Sequence, residues 1–143
     1  MDSRTYENNN LKIICPDDCG NAPKKQHLKE LTIAFAKNDL LSINDNITDD
    51  FQWNIIGKKR IHGKENFVET LKQMHHNKVT ELHITNIITH GYDGSVNGTF
   101  ILENKKNYGF CNVYKFFSSR NHSKIKECTS YIIELSNSKK ELF

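Results

Sequence analysis

The stretch from Tyr108 to Leu135 limits the possible folds most: two β-rich segments joined by the polar run Ser118–Ser123. Such segments close into an antiparallel hairpin, in which directly opposed residues share a face. Pairing Phe117 with Lys124 predicts Phe116 opposite Ile125, Tyr114 opposite Glu127, Asn112 opposite Thr129 and Phe110 opposite Tyr131. One face then carries these eight residues, with large apolar groups around a few polar ones, which is how ligand pockets are usually lined.

A chain of 143 residues suits one domain and buries roughly two-thirds of its unfolded surface without a disulfide framework. The net charge of +3 is small and Lys and Arg are scattered, so no nucleic-acid partner is expected. No apolar run approaches the roughly 18 residues of a membrane span, and Met1–Asn10 lacks the apolar core of a signal peptide, so the expected setting is cytoplasmic, away from membranes. Cys15 and Cys19 are separated by three residues, but Cys111 and Cys128 are separated by sixteen and fall in strands, which is not the spacing of a four-thiolate zinc site. The cysteines read instead as two small hydrophobes of the sheet and two thiols of an N-terminal loop.

Residues 1–10 are polar and predicted to fray, while Leu11–Cys15 is apolar enough to dock before the turn around Pro16–Gly20. Asn21 can cap a helix and Pro23 suits its first turn. Leu28, Leu31, Ala34 and Phe35 then form one helical stripe up to Lys37. Leu40, Leu41 and Ile43 suggest a short second helix, and Phe51–Ile56 a strand with Phe51, Trp53 and Ile55 on one side. Gly57–Gly63 is a basic stretch with five residues between its glycines and Glu65 after Lys64, so it does not match a phosphate-binding loop and reads as a solvated turn. A third helix from Lys64 to His75 buries Phe67, Val68, Leu71 and Met74. Val79–His90 is a long β-branched strand, Asp93-Gly94 is a hairpin signal, and Ser95–Glu103 leads through Asn104–Asn107 into the first hairpin segment. With Asn104 facing Asn107, the residues Asn97, Thr99 and Ile101 join the pocket face.

Three helices interrupted by one strand and followed by four long strands predict an α+β fold, a curved antiparallel sheet with the helices on one face. By the same register the other face carries Val96, Phe100, Leu102, Cys111, Val113, Phe117, Cys128 and Ile132, too apolar to leave wet. A second copy of the chain is the simplest cover, so a homodimer is expected. Residues 21–136 read as the domain, 1–20 as a partly docked extension and 137–143 as a loose tail.

Several short motifs now combine. They are the first helix, the strand start Asp49-Asp50-Phe51-Gln52-Trp53, Gly57, the helix start Ile61-His62-Gly63-Lys64-Glu65, and the ending from Lys124-Ile125-Lys126 to Ser130-Tyr131. In order and spacing, over about Pro23 to Leu135, the chain resembles the nuclear transport factor 2-like superfamily, close to its SnoaL-like branch. The block from Cys15 to Asn21 is similar to that of small uncharacterised bacterial members. The resemblance implies a cystatin-like, cone-shaped roll with three helices on the concave face, a cavity between sheet and helices, and dimers formed through the convex face. It also implies diverse activities, from isomerases, dehydratases, epoxide hydrolases and cyclases to members that only bind. No complete catalytic set maps onto this chain, and whether it is an enzyme stays open.

Two readings follow. The first is a cone that binds a small apolar molecule, lined by Trp53, Phe110, Asn112, Phe116, Thr129 and Tyr131. The second is a cofactor-free isomerase, dehydratase or cyclase in which Glu127 is the base and Tyr114 or Tyr131 the hydrogen-bond donor. Among aromatic neighbours Glu127 would be desolvated and titrate above the ordinary value of about 4.3; facing solvent, it would pair with Lys115 or Lys126. A third reading is a dimeric interaction module. His75, His76, His83 and His90 do not converge, since His83 and His90 fall on opposite sides of a regular strand, so no metal or cofactor is expected.

Overall fold

The computed structural model describes residues 3–8, 10–16, 21–74 and 78–135. Its elements in chain order are β1 (Ser3–Asn8), β2 (Leu11–Pro16), α1 (Pro23–Lys37), α2 (Leu40–Asp45), β3 (Ile47–Ile55), β4 (Lys59–His62), α3 (Lys64–Gln73), β5 (Val79–His90), β6 (Asp93–Leu102), β7 (Asn107–Phe116) and β8 (Ile125–Leu135). The strands form one curved, open sheet in the order β1-β2-β5-β6-β7-β8-β3-β4. β2 runs parallel to β5 and β3 parallel to β8; every other pair is antiparallel. The three helices cover the concave face, so the fold is the α+β cone expected from the order of elements.

Local chemistry explains the helix ends. Pro23 occupies the first turn of α1, where a missing amide costs nothing, and the cap is Ala22 rather than Asn21. Asn38 ends α1 in the left-handed region at φ 57°, a conformation asparagine tolerates. Asp39 then caps α2 by accepting from the Ser42 amide at 3.3 Å and the Ser42 hydroxyl at 2.9 Å.

The core lies between the helices and the concave face. Phe67 of α3 sits at its centre, 4.7 Å from the Phe51 ring, 5.2 Å from Trp53 and 5.8 Å from Phe35, all at steep edge-on angles. α1 approaches β6 closely over Gly94, where a Cβ would lie 2.7 Å from Leu28 Cδ1. At Gly98 a Cβ would meet the His83 carbonyl, so β5 and β6 can pair there only with glycine. At the start of α1 the His27 ring is buried against Phe116 (6.4 Å between centroids) and His122 (6.0 Å).

Four segments differ from expectation. Ser3–Asn8, polar and expected to fray, hydrogen-bonds to β2 as an edge strand, and β2 buries Leu11, Ile13 and Cys15. The basic stretch expected as a turn contains β4, whose charged residues sit on a sheet edge, where they discourage pairing with another chain. The β5–β6 turn is Gly91-Tyr92, with His90 opposite Asp93, so Asp93-Gly94 lies inside β6. Met74 follows α3 and is 51% exposed instead of buried. Cys19, His75, His76 and the tail 137–143 lie outside the described residues.

Candidate functional site

Irregularities in β5 and β8 decide which side chains of those strands face the cavity. In β8, Phe116 pairs with Ile125 but Lys115 pairs with Glu127, so Lys126 is an extra residue. In β5, Thr80 and Thr85 are extra in the same way. A bulge of this kind shifts the two-residue alternation by one, and everything beyond it changes face.

The consequence for β8 overturns part of the predicted pocket. Tyr114 opposes Cys128, Asn112 opposes Ser130 and Phe110 opposes Ile132. Glu127, Thr129 and Tyr131 therefore lie on the convex face. Glu127 sits opposite Lys115 and accepts from Asn54 Nδ2 at 3.2 Å, while Lys115 is paired with Asp93 at 2.8 Å. Glu127 and Tyr114 are on opposite sides of the sheet, so they cannot act as base and donor on one substrate, and Tyr131 cannot face the cavity either.

The β6–β7 register corrects the rest. Gly98 opposes Phe110 and Val96 opposes Asn112, which brings Val96 and Phe100 to the concave face and sends Asn97, Thr99 and Ile101 outward. Of the residues expected on the convex face, Val96, Phe100, Leu102, Cys128 and Ile132 are concave; Cys111 and Val113 are convex. The bulge at Thr85 places both His83 and His90 on the convex side, still about 20 Å apart along the strand.

The concave face and the helices enclose a cavity of about 460 Å³. Of the residues expected to line a pocket, Trp53, Phe110 and Asn112 lie in its wall, beside Cys128, Ser130 and Ile132 of β8. Phe35, Leu71, Val79, Leu82 and Phe100 supply apolar wall, and Lys37, Asn38, Met74 and Lys78 complete it. Phe116 is on the same face but is fully buried under α1, beyond the lining. Tyr114 is likewise buried and outside the lining.

A short polar relay crosses the floor. Trp53 Nε1 donates to Ser130 Oγ at 2.8 Å, and Ser130 Oγ donates to Asn112 Oδ1 at 2.6 Å. Cys128 Sγ lies 3.6 Å from the same hydroxyl. Burial, only partly offset by that contact, pushes the Cys128 thiol up to about 12, so it is protonated at neutral pH. Burial also raises the Tyr114 hydroxyl well above its ordinary range; Thr32 and Asn112 moderate the shift without closing a well-formed hydrogen bond, and the oxygen has no partner among the described residues. No Asp, Glu or His is present in the described lining.

The fold superposes on a wide set of solved structures. The chain has the nuclear transport factor 2-like fold. An LEH-like epoxide hydrolase from M. tuberculosis superposes with a TM-score of 0.63 at 18% identity, covering 76% of this chain and 80% of its own. A candidate SnoaL-like polyketide cyclase from Shewanella denitrificans gives 0.63 at 12% identity, covering 77% and 90%. A candidate ketosteroid isomerase from Kribbella flavida gives 0.66 at 10% identity, covering 83% and 84%. Identities this low establish the fold alone, and the differing activities of these proteins show why fold does not set chemistry. No protein-family model matches the sequence, and no curated protein sequence matches it either.

Among the residues sequence reasoning missed, Cys128, Ser130 and Ile132 alternate correctly with one another, but Glu127, Thr129, Tyr131 and Ile133 alternate just as well. Only the extra residue at Lys126 chooses between the two sets. Among the described residues no helix is long and apolar enough to cross a membrane.

Proposed function

We propose that the protein binds a small molecule with an apolar body in the cavity between sheet and helices, without transforming it. The observation that carries this reading is the floor: the Trp53 N–H, the Ser130 hydroxyl and the Asn112 carbonyl bond to one another, and the described lining offers no carboxylate or imidazole to move a proton. The cavity volume falls in the usual range for drug-sized ligands. Trp53 is the only tryptophan and lies on the floor, so it reports occupancy directly. Titration with decanol should change Trp53 emission saturably and raise the melting temperature, by about 2.7 kcal/mol of added stability at a hundredfold excess over Kd. An emission and a melting curve both unmoved by decanol and longer alcohols would refute the reading.

The same proposal extends to a homodimer through the convex face. Val113, Tyr131 and Ile133 are 38%, 47% and 66% exposed there, and Ile88 adds to them from β5. A dimer would cover this apolar strip, and Val113→Asp should convert it to a monomer in sedimentation. A native protein that sediments as a monomer at micromolar concentration refutes the dimer and leaves the cavity reading intact.

A further inference from the structure

Exposure separates the mouth of the cavity from its floor. Trp53, Phe110, Cys128 and Ser130 are buried, whereas Met74 and Lys78 are exposed and Lys37 and Asn38 half-buried. The mouth therefore lies between the end of α1, the end of α3 and the start of β5. Its charge has one sign, because Lys37 and Lys78 are the charged groups of the described lining. Lys37 shares its field with Asp39, whose carboxyl it helps hold below the usual range together with the stronger Ser42 hydrogen bonds. The Lys78 ammonium makes no hydrogen bond or ion pair among the described residues.

The floor makes the opposite demand. The Trp53 N–H and the Ser130 O–H each already have an acceptor, so an acceptor arriving at either group would have to displace a protein bond. A hydrocarbon end meets the Trp53 ring, Phe110, Cys128 and Ile132 and displaces nothing.

We propose that the ligand is a single-chain anion, an aliphatic carboxylate whose head group rests at Lys78 and Lys37 and whose hydrocarbon reaches the Trp53 floor. This rests on the cavity being a ligand site. A carboxylate half-solvated at the mouth gains only about threefold in affinity from each lysine. Each methylene moved from water into the cavity adds about fourfold.

The test titrates the protein with decanoate, decanol and decyltrimethylammonium at low ionic strength, reading Trp53 emission and melting temperature. Decanoate should bind about tenfold more tightly than decanol, with the cation weakest. In the Lys37→Gln/Lys78→Gln variant, decanoate should fall to within about twofold of decanol in that same variant; saturable decanol binding, whatever its affinity, and a cooperative melt confirm that the variant is folded. If wild-type protein prefers decanol, or the variant keeps the preference for decanoate, the anion inference is overturned and the ligand site stands. If none of the three probes moves either signal, the ligand site fails and the inference with it.

Discussion

Replacing Ser130 with Ala removes one oxygen and leaves two partners without a bond. The Trp53 N–H loses its acceptor at 2.8 Å and the Asn112 carbonyl its donor at 2.6 Å. A buried donor left unpaired costs about 1–3 kcal/mol. Trp53 is buried, so its share should be near the middle of that range; Asn112 is half-buried beside the cavity, where water can replace most of its loss. The expected destabilisation is about 2 kcal/mol, which for a chain of this size lowers the melting temperature by about 8 °C. Urea unfolding followed by circular dichroism measures it. Trp53→Phe removes the same donor, so the double variant should be more stable than the sum of the single changes predicts, by about 1 kcal/mol. A Ser130→Ala protein within about 0.5 kcal/mol of wild type would mean that the relay contributes nothing, and the case for an apolar ligand end at the floor would lose its basis.

Gly94→Ala should cost about 1–3 kcal/mol, because its Cβ would press on Leu28 Cδ1 at 2.7 Å and Phe116 Cε2 at 3.2 Å, and an unchanged thermal melt would contradict the close packing of α1 on β6. Burial, the largest influence, holds the His27 pKa below 6.5, so as pH falls through 6.5 the unfolded chain takes up protons before the native one does. Stability should therefore drop from about pH 7 toward pH 5 and the drop should flatten in His27→Gln; equal slopes for the two proteins would show that His27 is not the group responsible. Glu127→Gln should leave stability within about 0.5 kcal/mol and decanol binding unchanged, whereas a tenfold loss of binding would return Glu127 to the cavity.

Much of the architecture was legible in the sequence because local chemistry and tertiary need agreed. Pro23, the stripe from Leu28 to Phe35 and the left-handed Asn38 delimit α1, and β-branched residues mark β5 from Val79 to His90 as the structure has it. Phe110 and Asn112 reach the cavity because β7 alternates regularly from Asn107, and Trp53 because β3 alternates from Phe51 to Ile55, beyond its own irregularity. The β8 half of the site was illegible for a physical reason: both alternating sets of that strand contain apolar residues, so hydrophobicity fixes the period and leaves the phase open. β4 was hidden by Lys59 and Arg60, which protect an edge strand and also make it look like a loop. Lys78 and Lys37 carry no motif at all; only the folded chain brings the end of α1 and the start of β5 to one cavity.

Thr80, Thr85 and Lys126 each add one unpaired residue, and every such addition bends its strand a little further. The bowl is thus assembled in discrete steps of length and not by the identity of the side chains that touch its contents. Loss of one of these irregularities would exchange the inward set of its strand: with Lys126 paired in the ladder, Glu127, Thr129 and Tyr131 would take the places of Cys128, Ser130 and Ile132. Strand pairing and cavity chemistry are therefore tied together, since one residue more or less in the ladder rewrites half a wall at a stroke.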